Sequence, residues 1–373
     1  MNEDAELSQG ENKESIEGLD PEDAGWGDYP LDSVFVRSES RTIGEVVNRI
    51  NKERYIMDPD FQRDFVWDEV KQSKLIESCV MRIPLPVFYV AEAKDGRVIV
   101  VDGLQRLTTF QRFKAGDLRL RGLTTADKAH PLSTLSFEDL PLVLQERIDD
   151  TQLTLYILDS KAPERARLDI FERVNSGVPL GRQQMRNALY NGPATQWLKA
   201  AAASSLFRSV TGKALDQKTM RDREAINRFC AFSLLGWTEY AGGDMDGFLG
   251  RSLDHMNAME SDDLILLRRR FDDSMKLNHL LFGRHAFRKS LAELDQSAPR
   301  SVLNIALFDV CSVMFSRIAV PNSEQELKML KGATARLFDD GKFMHDITYS
   351  TNSRLQVLGR FNAGYDAFGS FFQ

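Results

Sequence analysis

Residues 98–109 read VIVVDGLQRLTT, and no other stretch constrains this chain as strongly. Four apolar β-formers run into Asp102 and Gly103, and a helix-forming run follows at once. A continuous apolar run of this length suits a buried strand. A glycine at its end permits a tight turn and a close backbone approach. The N–H groups of Gly103, Leu104 and Gln105 then lie unpaired at the positive end of a helix, where a phosphate fits. Arg106 falls in the first turn and can fork onto phosphate oxygens or a carboxylate. Thr108 and Thr109 add hydroxyls, and Asp102 is placed to hold a metal ion or to orient a water. The plainer reading is that Asp102 caps the helix and Arg106 pairs with it.

The flanking sequence alternates between strands and helices from residue 34 to about 160. Thr42 and Glu45 have capping-box spacing ahead of a helix that would bury Val46, Val47 and Ile50. Asp68 caps a second helix with a stripe of Leu75, Ile76, Cys79 and Val80, and Pro84 and Pro86 end it. Residues 87–90 and 98–101 read as hairpin strands around an Asp95-Gly96 turn. The next helix points Leu104, Leu107, Phe110 and Phe113 to the core and stops at Gly116. Residues 153–158 give a further strand. Beyond 160 the pattern is helical throughout, near 163–175, 181–190, 193–203, 221–240, 262–291, 299–319, 323–339 and 353–371. The fold class expected is α+β: residues 1–30 a disordered acidic tail, 31–160 an α/β head and 161–373 an all-helical body.

Charge supports the division of the tail. The chain of 373 residues has a net charge of −7, yet residues 1–32 hold eleven acids and only Lys13, leaving the remainder mildly basic. Such a tail cannot bury enough apolar surface to offset its ordering entropy. It serves solubility or, on a sharper reading, covers a basic groove as a nucleic-acid mimic. The three cysteines, Cys79, Cys230 and Cys311, are far apart and odd in number, which excludes a disulfide framework and a CxxC site. No stretch reaches the ~20 apolar residues of a membrane span, and no secretory signal opens the chain. A cytoplasmic protein with reduced thiols is expected, and one that does not engage membranes.

Two further patches could join the turn. Residues 58–67, DPDFQRDFVW, form a polar loop pinned by Phe61, Phe65 and Trp67, from which Gln62 and Arg63 could point into a site. Its bland reading is an anchored surface loop. Residues 171–177 and 183–188, FERVNSG and QQMRNA, read as a helix end, a glycine turn and a new helix. Asn175 and Ser176 are capping types, though Asn175, Arg186 and Asn187 could reach a nucleotide.

Taken together, these patches resemble the N-terminal domain of GmrSD-type restriction enzymes. That pattern is a PxxQRxxVW loop, an LIxSxxxxxPxP helix exit, a strand ending in DGQQRLxT, and an FxxxNxGxxLxxxxxRNA segment. Here they fall at residues 59–67, 75–86, 102–109 and 171–188, so the likeness spans roughly 40–190. The resemblance implies a ParB/sulfiredoxin-like head that binds nucleotide phosphates at the strand–Gly–helix turn. It also implies NTP binding or hydrolysis coupled to cleavage of foreign DNA in bacterial defence. Carried over by position, the DGQQR role falls on Asp102, Gly103, Gln105 and Arg106, and the QR role on Gln62 and Arg63. Leu104 departs from the pattern by replacing its first Gln, which removes a polar contact. Larger relatives carry a His-Asn-His nuclease domain, and none of the five histidines here sits in such a pattern. His345-Asp346 is the only late pair worth testing, and a capped helix start is its plainer reading.

The remaining candidates are weaker. Residues 210–214 lack the first Gly and final Ser/Thr of a P-loop. Glu92-Ala93-Lys94 has nuclease ExK spacing, with Asp58 or Asp60 upstream, but a hairpin shoulder explains it too. Arg268, Arg269 and Arg270 spread around a helix and would contact phosphates or merely solvate a face. Phe361, Tyr365, Phe368, Phe371 and Phe372 suggest a docked C-terminal helix or a partner surface. Three functions follow as expectations. The first is an NTP-hydrolysing defence protein that uses Mg2+, with Asp102 as metal ligand, and senses DNA. The second is a nucleotide- or DNA-sensing subunit working with a separate nuclease or ATPase. The third is a metal-dependent DNA nickase. A homo-oligomer is compatible with each.

Overall fold

The computed structural model describes residues 16–18, 36–57, 67–93, 95–123, 130–162, 164–174, 181–212, 214–241, 243–293, 299–321 and 323–372. Two compact units divide the chain: Trp26–Tyr190, and Met1–Gly25 together with Asn191–Gln373.

The first unit holds the strands β2 (Val36–Thr42), β3 (Tyr55–Ile56), β4 (Phe88–Glu92), β5 (Val98–Asp102) and β6 (Gln152–Leu158), in the order β2-β6-β4-β5-β3. β2 runs antiparallel to β6, β6 parallel to β4, β4 antiparallel to β5, and β5 parallel to β3. One face is covered by α1 (Ile43–Asn51), α2 (Glu69–Val80), α3 (Leu104–Lys114) and α4 (Leu142–Asp149). Ile43, Val46, Val47 and Ile50 of α1 meet Ile76, Leu107, Phe110 and Phe113 there, over Phe88, Val90, Val100, Leu155 and Ile157. The caps form as the sequence dictates. Thr42 accepts the Glu45 N–H at 3.1 Å and Asp68 the Lys71 N–H at 2.7 Å, satisfying donors that each helix start leaves open.

Ala91, Ile99, Val101 and Leu158 lie outside that core yet are buried, so the sheet's second face is covered as well. α5 (Glu164–Val174) and α6 (Arg182–Leu189) belong to this unit. Arg167 of α5 donates to the Glu92 carbonyl at 3.2 Å, which ties the helix to the end of β4. The division at Tyr190 thus falls later than the 160 at which the strand pattern stops. A sheet's covering helices cohere with it although they carry no strand signal themselves.

The second unit is helical: α7 (Pro193–Ala202), α8 (Ser205–Thr211), α9 (Arg221–Leu234), α10 (Met245–Asn257), α11 (Ser261–Phe282), α12 (Ile305–Phe315), α13 (Glu324–Asp339), α14 (Gly341–Asp346) and α15 (Arg354–Phe368). Every residue of α12 is buried, which makes it the central helix of this unit. Its one charge, Asp309, takes two bonds from Arg228 of α9 and one from Arg360 of α15, at 2.6–2.9 Å. Two corrections belong here. The expected helix over 262–291 ends at Phe282, because Gly283 turns to positive φ. The expected helix over 299–319 starts only at Ile305, after Leu303–Asn304 forms β7.

β7 also amends the reading of the tail. Ile16–Glu17 forms β1, parallel to β7, with Ile16 buried and Glu17 paired to Lys289 at 2.6 Å. A disordered 1–30 therefore does not describe residues 16–18; residues 1–15 and 19–35 lie outside the described residues. Among the described residues no helix is long and apolar enough to cross a membrane.

Candidate functional site

The turn between β5 and α3 forms where the sequence places it. Val90 pairs with Val100, but Tyr89 pairs with Asp102, so one extra residue is accommodated as a β-bulge. A bulge shifts the side-chain alternation beyond it. Asp102 thereby leaves the core-facing parity of Val90 and Val100 and joins the row of Tyr89 and Tyr156, whose rings lie 5.5 Å apart. Gly103 follows at φ 103°, ψ 8°, a left-handed conformation that glycine adopts without strain. It is packed against Phe88, and a Cβ there would overlap that ring. No side chain caps α3, whose N-terminal residue is Leu104.

Arg106 is the fixed point of the turn. Its guanidinium donates to the Pro86 carbonyl, to the Val87 carbonyl at 3.0 Å and to Asp102 Oδ2 at 2.9 Å. It lies 4.1 Å from the centre of the Phe88 ring. Burial pushes its pKa down, with the Asp102 charge opposing that shift. The Arg106 side chain is 10% exposed and the Asp102 side chain 40%. The fork that was expected to hold phosphate is thus spent on protein acceptors, and Arg106 is a positioning residue here. The pairing half of the plainer reading holds. Its capping half does not, since Gly103 occupies the cap.

The other expected residues divide by burial. Gln105 accepts the Trp67 N–H at 3.3 Å, while Gln72 donates to the Trp67 carbonyl at 2.8 Å. Gln105 therefore holds the Trp67 backbone beside the turn. Thr108 is half-buried. Thr109 is fully buried and donates to the Gln105 carbonyl at 2.7 Å, so its hydroxyl serves the helix and not a ligand. Arg186 and Asn187 are also buried. Gln183 of the same helix accepts from Arg186 at 3.0 Å and donates to Asn187 at 2.9 Å. Within this helix their polar groups meet Gln183. Gln62, Arg63 and Asn175 lie outside the described residues, as do Asp58, Asp60 and Lys94. Glu92 pairs with Arg37 at 3.2 Å. His345 and Asp346, 3.5 Å apart, end a helix instead of starting one.

Sequence reasoning missed Phe88, the platform under both Gly103 and Arg106, and the carbonyls of Pro86 and Val87. The Pro84-Leu85-Pro86 run carried the only local signal, because prolines leave carbonyls without a ladder partner.

Among the described residues no three His, Cys, Asp or Glu side chains gather to hold a metal. Asp102 is a single, partly exposed carboxylate with one oxygen on Arg106. That set suits Mg2+ only where phosphates and waters complete its octahedron.

The match of residues 43–191 to a restriction-endonuclease domain family places the chain among restriction-type phage-defence proteins. The family is specified by residues 43–191, which match the GmrSD restriction endonuclease, N-terminal domain. This part of the chain is a domain of that family, and its end at 191 adjoins the division between the two compact units. No curated protein and no solved structure matches the chain.

Proposed function

We propose that the sheet unit is the nucleotide-binding head of a restriction-type defence protein, with a ParB/sulfiredoxin-like phosphate site at the Asp102–Gly103 turn. The observation that carries this reading is a glycine at positive φ at the start of α3, beside a carboxylate that is 40% exposed. The N–H groups of α3 would take the phosphate oxygens. Asp102 would hold Mg2+ or orient a water, Arg106 would fix Asp102, and Gln105 would keep Trp67 in place. When bound, Mg2+ would offset phosphate charge that a lone carboxylate at this turn would otherwise repel.

On this reading NTP is hydrolysed and DNA is the species sensed. Phosphate release from each of the four NTPs, with and without DNA, tests it. Loss of release in Asp102→Ala with the fold retained is expected. Undiminished release in that variant places the site elsewhere. The engagement of Arg106 with protein acceptors favours a second reading, a sensing subunit that binds nucleotide without turnover and works with a separate nuclease or ATPase. Tight nucleotide binding without phosphate release selects it.

A further inference from the structure

The helical unit contains a cavity of about 780 Å³ lined by Ser233, Arg270, Asp273, Lys276, Ser316 and Arg317. Three of these are cations and one is an acid. The acid is neutralised within the cavity, since Asp273 pairs with Lys276 at 2.9 Å. Among the described residues neither Arg270 nor Arg317 has an ion pair. Arg317 instead lies 4.9 Å from the centre of the Trp237 ring and 5.8 Å from that of Phe372. Trp237 is itself stacked on Phe361, at 5.2 Å and 6°.

A guanidinium held against aromatic faces is oriented without spending its in-plane donors. Arg106 shows the contrast, since its nitrogens are taken by two carbonyls and a carboxylate. Burial pushes the Arg317 pKa down, and the nearby charge of Arg270 pushes it further. Two cations facing one cavity without a counter-charge repel each other, and an anion between them relieves that repulsion. Ser233 Oγ is buried with no hydrogen-bond partner, which leaves a hydroxyl for the same ligand.

We propose that this cavity is a phosphate-binding site in which Arg317 and Arg270 grip a phosphate group, carried by a nucleic-acid strand or by a free nucleotide. The site is separate from the Asp102 turn and does not depend on the function assigned there.

The test uses the full chain and fluorescence polarisation. The probes are a single-stranded oligothymidine with a 5′-phosphate and the same strand with a 5′-hydroxyl, with inorganic phosphate and ATP as competitors. Arg270 is exposed, so Arg270→Gln keeps the fold. It should weaken binding about tenfold and reduce the slope of log affinity against log salt by about 1. Arg317→Gln should do the same, and Arg317→Lys should restore part of the loss. Arg269→Gln, exposed and outside the cavity lining, serves as the control and should bind as the parent does. The Arg270 effect should persist in an Asp102→Ala background, which separates this cavity from the head. Displacement of the strands by neither ATP nor inorganic phosphate assigns the phosphate to nucleic acid, and displacement by ATP but not by inorganic phosphate assigns it to a nucleotide. Failure of every phosphate probe to bind, or unchanged affinity in both Arg270→Gln and Arg317→Gln, overturns the proposal.

Discussion

Arg106 and Asp102 share one ion pair but differ in solvation, with side chains 10% and 40% exposed. Substituting them should therefore have different consequences. Asp102→Ala removes a partly exposed charge and should cost less than about 1 kcal/mol of stability. Arg106→Ala strands two carbonyls and the face of Phe88, and should cost about 3 kcal/mol. Arg106→Lys should not recover it, because one ammonium cannot reproduce a planar fork to three acceptors. Urea unfolding of the three variants measures this, and equal losses for Asp102→Ala and Arg106→Ala would contradict the brace assigned to Arg106. Gly103→Ala meets both the Phe88 ring and a φ of 103°. It should lose about 2–4 kcal/mol by the same measurement. Only the Asp102–Arg106 pair was legible locally. Strand–Gly–helix spacing foretold the turn, but the acceptors of Arg106 lie 19 and 20 residues upstream.

Legibility followed locality among the elements too. α1, α2 and α3 announce themselves through caps and apolar spacing within one window, and β5 through an unbroken apolar run. β2, VRSESRT, has almost no apolar signal because it is an edge strand whose residues are mostly exposed. α10 went unread because Gly247 and Gly250 interrupt its helical pattern, although Asp244 caps it by accepting the Gly247 N–H at 2.9 Å. At the start of α9, burial raises the pKa of Asp222 above its ordinary 3.8. A carboxyl that binds its proton more tightly when folded supplies stability below its unfolded pKa. That contribution is lost as pH rises through 3.8 and on towards the higher folded value. Asp222→Asn should flatten this decline and leave the protein more stable at neutral pH than its parent, as thermal melts across pH 4–7 would register. A parallel decline in the variant would remove Asp222 as its source.

For the whole molecule, the heaviest electrostatic commitment is the Arg228–Asp309–Arg360 cluster, which is entirely buried. Asp309→Ala leaves two cations without their anion in an apolar surround and should cost about 3–5 kcal/mol. Replacing all three by apolar residues of similar volume should recover most of that loss, which a denaturant series on the single and triple variants would reveal. Recovery would mean that the cluster contributes specificity of packing more than net stability. The sequence hid it, because Asp309 is an isolated acid in an apolar helix and its partners lie 81 and 51 positions away.

The pairing of Ile16–Glu17 with Leu303–Asn304 has a consequence for biosynthesis. Residues 26–190 form one compact unit, synthesised well before Leu303. Ile16 has to wait for Leu303 until nearly three hundred further positions have been translated. Nascent chains arrested before Leu303 emerges should be clipped by protease near Ile16, whereas released full-length chains should resist there. Equal cleavage of the two populations would show that this short parallel clasp does not hold in solution.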